Sequence, residues 1–287
     1  MDRLTLEQIT KDSVVAFLDW IQTERKCINS TRNARLAAIH SFIRYVQYQY
    51  PENLYECQKI LSIQVKRAEK VPVNYLTIAG ITLLLEQPDM TTSKGRRDLA
   101  LLSLMYDTGA RVQEIIDLTP SCLRLDKPNT IQITGKGHKT RVVPMLEDQV
   151  RLLKGYMAEH KLSEPYASKY PLFFNSWSEK LTRSGVTHVL LKYAVMARMK
   201  NEKLIPVKIS CHSLRHSKAM HLLQAGVNLV YIRDILGHIS VTTTEVYARA
   251  DSKLKREALE KAYVDTTPQK EPVWLINDNL LKWLKSL

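Results

Sequence analysis

The 287-residue sequence is poor in several features that mark particular classes of protein. It has only 4 cysteines, none of them in a Cys-x-x-Cys pair, so it offers neither a dense disulfide framework nor the paired thiolates of a zinc site. The longest nearly apolar run, Leu99 to Tyr106, is too short to cross a bilayer, and the first residues lack the basic and then apolar order of a signal peptide. These absences predict reduced thiols, no membrane span and a cytoplasmic location.

Glycine and proline are also scarce, at 9 and 11 residues, whereas hydrophobic residues make up 45% of the chain. This composition excludes collagen-like, low-complexity and disordered chains and predicts one large or two modest folded domains. Acidic residues are outnumbered, since 42 Lys and Arg stand against 29 Asp and Glu, which gives a formal net charge of +13. Such an excess favours a polyanionic partner, because neutralising phosphates releases their counterions. The alternative on charge alone is a basic protein without such a partner.

The N-terminal part of the chain has helical periodicity. Between Ser30 and Tyr50 apolar residues recur at steps of three and four, which predicts an amphipathic helix, and further helices are predicted over 11–24 and 54–63. In the first of these helices, Phe17 is expected to face inward. Arginines off the apolar stripe of the long helix could contact phosphates, with a solvated charged face as the alternative; they are Arg32, Arg35 and Arg44.

A charged, proline-containing stretch after residue 65 interrupts the apolar period and is typical of a linker between domains. Basic residues exceed acidic ones on both sides of it. We therefore predict a helical domain over 1–68, a linker over 69–74, a second domain over 75–265 and a tail over 266–287.

The second domain mixes two periods. Helical patterns surround three short stretches in which polar and apolar residues alternate, near 123–125, 131–133 and 142–143, and these predict a small antiparallel sheet. The predicted fold class is therefore mainly α with a small antiparallel β-sheet: a helical N-terminal domain and an α+β second domain.

Five short segments of the second domain place cations, imidazoles or a phenol at helix ends or tight turns. In Thr-Gly-Ala-Arg-Val-Gln-Glu, Arg111 and Glu114 share a helix face, and in Gly-Lys-Gly-His-Lys-Thr-Arg the glycines permit a hairpin that leaves Lys136 at its tip. Taken alone, the first pair is most often a structural salt bridge and the second segment a solvated basic turn. The glycine spacing also lacks the Walker pattern of a nucleotide-binding loop.

The remaining segments lie further along the chain. His212 and Arg215 share a helix face in Cys-His-Ser-Leu-Arg-His, and His216 follows them. His238 follows a glycine turn in Leu-Gly-His, and Tyr247 comes nine residues later. Each is commonplace alone, and neither the cysteines nor a His-Glu-x-x-His pattern supplies the ligands of zinc. We predict no metal and no cofactor.

Taken together and in this order, the five segments resemble the signature of the tyrosine recombinase and phage integrase family, which includes the Xer recombinases. The likeness runs from about Lys94 to Tyr247. It implies a core-binding helical domain followed by a catalytic α+β domain of the tyrosine recombinase type. The residues that it implies as catalytic are Arg111, Lys136, His212, Arg215, His238 and Tyr247.

The resemblance also implies a mechanism. Tyr247 would attack a DNA phosphodiester and form a 3′-phosphotyrosyl intermediate without metal or ATP, while arginines stabilise the phosphate oxygens. Lys136 would protonate the departing 5′ oxygen. His212 is the best candidate to help ionise the phenol, and His238 would donate a hydrogen bond to a phosphate oxygen.

Further roles follow from the same resemblance. Glu114 and His216 would orient catalytic side chains, and Lys139 and Arg141 in the hairpin would contact DNA. The partners would be double-stranded DNA at recombination core sites and other copies of the chain, as a tetramer on DNA. The tail would dock on a neighbouring subunit or, alternatively, pack on its own domain. With about three predicted helices, the N-terminal domain is expected to be short for this family, either because it lacks an N-terminal helix or because the sequence is truncated.

We expect a site-specific DNA recombinase, such as the integrase or transposase of a mobile element. A type IB topoisomerase or a telomere resolvase would share the catalytic set but relax or seal DNA, and recombinant junctions formed from two duplexes would discriminate between them. A DNA-binding accessory protein with an idle active site is the alternative of another class. It is disfavoured because each catalytic position holds the residue type of the family.

Overall fold

The computed structural model describes residues 5–68, 73–250, 282, 283 and 285. The chain divides into two compact units, Met1–Pro72 and Val73–Leu287, and this division falls within the stretch 69–74. Among the described residues, we find no helix with the length and hydropathy needed to cross a bilayer. The predicted tail lies outside the described residues apart from positions 282, 283 and 285.

The N-terminal unit is helical over its described residues. Its helices are α1 (Lys11–Thr23), α2 (Asn29–Gln49) and α3 (Leu54–Leu61). They pack around one apolar core in which Leu18, Leu36 and Ile60 are almost fully enclosed, so the three predicted helices are confirmed. The expectation for Phe17 is wrong: its side chain is 42% exposed and stacks on Trp20, because it lies at the edge of the buried stripe of α1.

The arginines of α2 lie in different surroundings. Arg35 and Arg44 are exposed. Arg32 is only 4% exposed, and its Nη1 atom donates to the carbonyl of Gln64 at 3.3 Å. It is enclosed because it lies one helical turn before the buried Leu36, on the same face. Its guanidinium therefore contacts the interior of this unit, not the surface where a phosphate would approach.

Over its described residues, the second unit combines helices with one sheet. Its helices are α4 (Ile78–Leu85), α5 (Ser93–Thr108), α6 (Val112–Ile116), α7 (Glu147–Glu159), α8 (Arg183–Lys200), α9 (Cys211–Gln224), α10 (Leu229–Leu236) and α11 (Val241–Ala250). Thr92 caps the start of α5, since its hydroxyl accepts the backbone N–H of Gly95, and the helix contributes Leu101 and Leu104 to the main core. Helices α9, α10 and α11 enclose a smaller apolar cluster that includes Ile232 and Tyr247.

Three antiparallel strands form the sheet in the order β1 (Leu123–Arg124), β2 (Thr130–Thr134) and β3 (Thr140–Pro144). Ile131 on β2 pairs with Val143 on β3, and both side chains are buried on one face. The turn between β2 and β3 is tight, with Gly137 at φ +76°. The predicted fold class, mainly α with a small antiparallel sheet, is confirmed.

Candidate active site

The loop between α5 and α6 orients Arg111. Helix α5 ends at Gly109, whose φ of +57° is the left-handed conformation that glycine tolerates. The Glu114 carboxylate then accepts two hydrogen bonds from Arg111, one from its backbone N–H at 2.9 Å and one from Nη1 at 2.8 Å. The Arg111 side chain remains 39% exposed. Its guanidinium is therefore both oriented and accessible.

Arg215 joins the ends of two helices. Its side chain leaves α9 almost fully buried, at 3% exposure, and donates from Nη1 to the carbonyl of Gly109 and from Nη2 to the carbonyl of Leu236, both at 2.7 Å. These carbonyls end α5 and α10, where helix dipoles concentrate negative partial charge. Burial first, and then the charge of Arg111, lower the pKa of Arg215 to about 10, so the guanidinium keeps its charge at neutral pH.

Tyr247 lies on α11 with 3% of its surface exposed. Its hydroxyl is 2.9 Å from the Nδ1 atom of His216, and its ring stacks on His238 with centroids 6.4 Å apart and planes at 10°. Burial raises the pKa of the Tyr247 phenol, while the positive charges of Arg215 and Arg111 act in the opposite direction. The phenol therefore carries its proton at neutral pH and lies beside an imidazole.

The imidazole beside the phenol is that of His216, whereas the sequence indicated His212 for this role. His212 is exposed on the first turn of α9, and its ring centroid lies 6.2 Å from that of His216. Burial, followed by the charges of His212 and Arg215, lowers the pKa of His216, which keeps it neutral. The spacing of four residues between the two histidines was the available signal, because it places both on one helix face.

His238 follows the left-handed Gly237, which ends α10 at φ +65°. Its Nδ1 atom is 2.9 Å from the hydroxyl of the buried Thr244. Burial first, and then the charges of Arg215 and Arg111, lower the pKa of His238 to about 4. Thr244 was not predicted from the sequence; the signal for it is the run of three threonines, Thr242 to Thr244, at the start of α11.

Arg141 on β3 was expected to contact DNA, but its side chain is only 11% exposed. Its Nη2 atom donates to Glu114 at 2.7 Å and its Nε atom to the carbonyl of Ile235 at 2.8 Å. Burial by itself would raise the pKa of Glu114, yet the hydrogen bonds from Arg141 and from the Arg111 backbone lower it overall. Glu114 is therefore a carboxylate between two guanidiniums.

The hairpin brings the backbone of Lys136 near this network. Lys136 begins the short 3-10 turn Lys136–His138 between β2 and β3, and its side chain lies outside the described part of the chain. The preceding residue, Gly135, packs so closely that an added Cβ would lie 2.9 Å from Oε1 of Glu114. Lys139, the other predicted basic contact of the hairpin, is exposed.

The described residues thus bring together two guanidiniums, two neutral imidazoles and a phenol from segments that are distant in the sequence. Arg215 donates to the carbonyl of Gly109, two residues before Arg111, and Glu114 accepts hydrogen bonds from both Arg111 and Arg141. Tyr247 lies beside His216. Among the described residues, we find no group of three or more His, Cys, Asp or Glu side chains that could hold a metal ion. Such a set of groups can bind an oxyanion and present a nucleophile to it.

Comparisons with known proteins identify the family. Residues 74–253 match the model of the phage integrase family. The chain is 36% identical over 287 residues to the putative integrase/recombinase y4rC of Sinorhizobium fredii, which covers 99% of this chain and 84% of that protein. It is 34% identical over 233 residues to tyrosine recombinase XerD of Yersinia pestis, over 79% of this chain and 74% of that one.

A similar solved structure is that of the XerH site-specific recombinase bound to its difH substrate in a pre-cleavage complex. The two share a TM-score of 0.70 and 25% identity, over 90% of this chain and 72% of that one. The family match covers well over half of the present chain, and the order of the sequence motifs agrees with it. The chain is therefore a member of the phage integrase family of tyrosine recombinases, enzymes that cleave and rejoin DNA in site-specific recombination.

Proposed function

We propose that this recombinase exchanges double-stranded DNA at specific core sites by moving a phosphodiester onto Tyr247 and off again, as the integrase or transposase of a mobile element. One observation carries the proposal. The Tyr247 phenol is 3% exposed, lies 2.9 Å from Nδ1 of His216 and stacks on His238. The positive charge of Arg215 is close enough to lower the pKa of the phenol against the larger effect of burial. The site therefore holds a nucleophile that can attack a phosphodiester, an imidazole beside that nucleophile and a cation that can stabilise the phosphate oxygens.

The two arginines can stabilise the negative charge of the substrate phosphate. A DNA phosphodiester resists attack because its oxygens are negative, and the pentacoordinate transition state concentrates still more charge on them. A guanidinium presents a planar fork of donors that matches two such oxygens. Arg111 is accessible and Arg215 is held in place, so both can strengthen their hydrogen bonds as charge develops.

The nucleophile needs a proton acceptor. Burial raises the pKa of Tyr247 above its ordinary 10.0, so attack on phosphorus requires the phenol to give up a proton. His216 is neutral and its Nδ1 atom is already 2.9 Å from the hydroxyl, so we assign proton acceptance to His216. His212, exposed one turn earlier on the same helix face, then serves as a donor to the incoming phosphate.

His238 supplies a donor without a charge. If the Thr244 hydroxyl donates to Nδ1 of His238, the ring proton lies on Nε2 and can be donated to a phosphate oxygen. A pKa near 4 keeps this tautomer neutral across the physiological range.

The step balances without metal or ATP. The Tyr247 oxygen forms a bond to phosphorus, its proton passes to His216, and the bond from phosphorus to the 5′ oxygen breaks as Lys136 protonates that oxygen. The phosphotyrosyl bond stores the energy of the broken phosphodiester. A 5′ hydroxyl from another strand then attacks it and reverses each transfer.

DNA binding and assembly complete the proposal. The net charge of +13 and the exposed Arg35, Arg44 and Lys139 suit a phosphate backbone. Exchange between two duplexes cuts four strands, so we infer a tetramer on DNA with one Tyr247 for each strand. The mobile-element role is supported by the relative named integrase/recombinase, which matches 99% of this chain.

Cleavage of a nicked duplex in the presence of a chelator tests the mechanism. The substrate is DNA that carries core sites from beside the gene, with a nick placed so that cleavage releases a short fragment bearing the 5′ hydroxyl. Because this fragment diffuses away, a covalent complex that survives denaturation should be trapped. Tyr247→Phe should abolish that complex, and Tyr170→Phe, which alters an exposed tyrosine, should leave it intact. A complex that persists in Tyr247→Phe, or that requires a divalent ion, contradicts the mechanism. Recombinant junctions from two duplexes then separate a recombinase from a topoisomerase.

A further inference from the structure

We propose that Arg141 is a positioning residue whose single guanidinium fixes three catalytic segments relative to one another: the Arg111 turn, the Lys136 hairpin and the His238 loop. The proposal rests on the proposed function, since it concerns the geometry of that same site. It replaces the sequence-based expectation that Arg141 contacts DNA.

The first connection runs to Arg111 through Glu114. The Nη2 atom of Arg141 donates to Oε2 of Glu114 at 2.7 Å, and the same carboxylate accepts the Nη1 and backbone N–H of Arg111 at 2.8 and 2.9 Å. The Glu114 side chain is only 4% exposed. A carboxylate that is shared in this way has little freedom to rotate, so the direction of the Arg111 guanidinium depends on Arg141.

The second connection runs to the loop that carries His238. The Nε atom of Arg141 donates to the carbonyl of Ile235 at 2.8 Å, in the last turn of α10. A Cβ at Gly237 would lie 2.8 Å from Nη1 of Arg141, so the loop packs directly on the guanidinium. Two residues of this loop act in the site, because the carbonyl of Leu236 accepts from Arg215 and His238 follows Gly237.

The third connection is the hairpin itself. Arg141 pairs with Ile133 across β2 and β3, so its backbone belongs to the strand that leads back from the Lys136 turn. At the base of that turn, Gly135 lies against Glu114. The Arg141 and Glu114 pair therefore holds the hairpin at both of its strands.

An arginine is needed for this arrangement. Its planar fork donates in two directions at fixed angles, whereas the ammonium of a lysine is a point charge that could satisfy Glu114 or the Ile235 carbonyl but not both at this geometry.

Single-turnover cleavage by Arg141→Met is the first test. We expect DNA affinity to stay close to wild type and the cleavage rate to fall about 10- to 100-fold, because catalytic groups displaced by roughly 1 Å lose that much. As the pH is lowered, the rate of Arg141→Met should also begin to fall at a higher pH than the wild-type rate does, because the pKa of Glu114 rises when Arg141 is removed. In a Glu114→Gln background no such carboxylate remains, so adding Arg141→Met should cause no shift in the pH profile. Arg141→Lys should recover part of the rate.

A matched control is Arg96→Met, which removes a bidentate pair with Glu159 at the opposite end of α5 and should leave the rate unchanged. A rate for Arg141→Met within twofold of wild type overturns the proposal. So does a uniform loss at every pH that adds to the loss in Glu114→Gln, because that pattern indicates a role in stability alone.

Side-chain ¹⁵N relaxation of the DNA-free protein tests the positioning without any reaction. Arg141→Met should increase the mobility of the Arg111 guanidinium, whereas Arg96→Met should not. Unchanged order at Arg111 overturns the proposal. Failure of the proposed function would appear differently, as the absence of a Tyr247-linked product from the wild-type protein.

Discussion

The Nδ1 atom of His216 lies 2.9 Å from the hydroxyl of Tyr247. The two residues come from different helices, α9 and α11, and both are removed from solvent to a large extent. Burial raises the pKa of the phenol and lowers that of the imidazole, so at neutral pH the proton of the pair resides on the phenol. With its own proton on Nε2, the neutral imidazole accepts this hydrogen bond through Nδ1. Proton transfer between them needs no further approach of the two groups.

Replacing His216 by Gln should keep a polar contact but remove the proposed proton acceptor. We expect single-turnover cleavage to slow by about 100- to 10,000-fold. In wild type the rate should fall as the pH drops through the pKa of His216, which lies below the ordinary 6.5, because the protonated ring cannot accept a proton. His216→Gln should lack that part of the profile. His188→Gln, at an exposed position of α8, is the control, and a wild-type rate for His216→Gln would contradict the assignment.

Lys136 is predicted to protonate the leaving oxygen. Lys136→Ala should therefore slow cleavage by about 100-fold or more with little loss of DNA affinity. A substrate with sulfur in place of the bridging 5′ oxygen should restore the rate, because a thiolate leaves without a proton. Lys139→Ala, an exposed neighbour in the same hairpin, should lower affinity and gain nothing from the sulfur substrate. Equal effects of both variants on both substrates would remove Lys136 from this role.

The titration of His238 can be followed by NMR in the DNA-free protein. Its midpoint should lie near pH 4, because burial and then Arg215 and Arg111 oppose protonation, and Arg111→Met should raise it. Between pH 4 and 6.5 the unfolded chain binds more protons at this residue than the folded one, so its contribution to the free energy of unfolding should decline as the pH falls through that window. A midpoint at or above 6.5 would contradict the buried environment.

Asp98 should be a determinant of stability remote from the chemistry. Its carboxylate is fully buried and accepts Nη2 of Arg97 at 2.6 Å and the hydroxyl of Tyr193 at 2.9 Å. Asp98→Ala leaves a mostly buried guanidinium unpaired and should lower the free energy of unfolding by about 3–5 kcal/mol in urea titrations. Asp148→Ala breaks an exposed pair with Arg151 and should cost less than about 1 kcal/mol. Similar losses would disprove this distinction.

Two glycines should respond oppositely to alanine. Gly237 has a φ of +65° and an added Cβ would lie 2.8 Å from Arg141, so Gly237→Ala should destabilise the protein by about 1–3 kcal/mol. Gly155 is exposed within α7 and nothing lies within 4 Å of an added Cβ, so Gly155→Ala should stabilise by about 0.5–1 kcal/mol. Thermal melting measures both. A rise in melting temperature for Gly237→Ala would contradict the close packing.

Local patterns of the sequence predicted most of the fold. The steps of three and four that lead to α2, and the alternation around Ile131, follow from burying one face of a helix or strand, and the structure confirms both elements. The family was also predicted correctly from the order of the motifs. The roles of the catalytic residues and the limits of the domains remain predictions.

Contacts between distant segments could not be predicted in this way. His216 meets Tyr247 across 31 residues, and Arg141 meets Glu114 across 27, so neither pair leaves a trace in local spacing. The burial of Arg32 was missed for a different reason: its spacing of four residues from Leu36 places it on the buried face, but an arginine is ordinarily exposed and was assigned to the charged surface.

The two carbonyls that hold Arg215 have a consequence for the energetics of the reaction. Water around a free guanidinium must reorient when a phosphate arrives, and that reorientation adds to the barrier. Here the Gly109 and Leu236 carbonyls have already taken the place of that water, and they are fixed by the ends of α5 and α10. In the proposed reaction, the Arg215 cation would meet the developing charge with its surroundings already set by the fold, so its stabilisation of the transition state would be nearly undiminished.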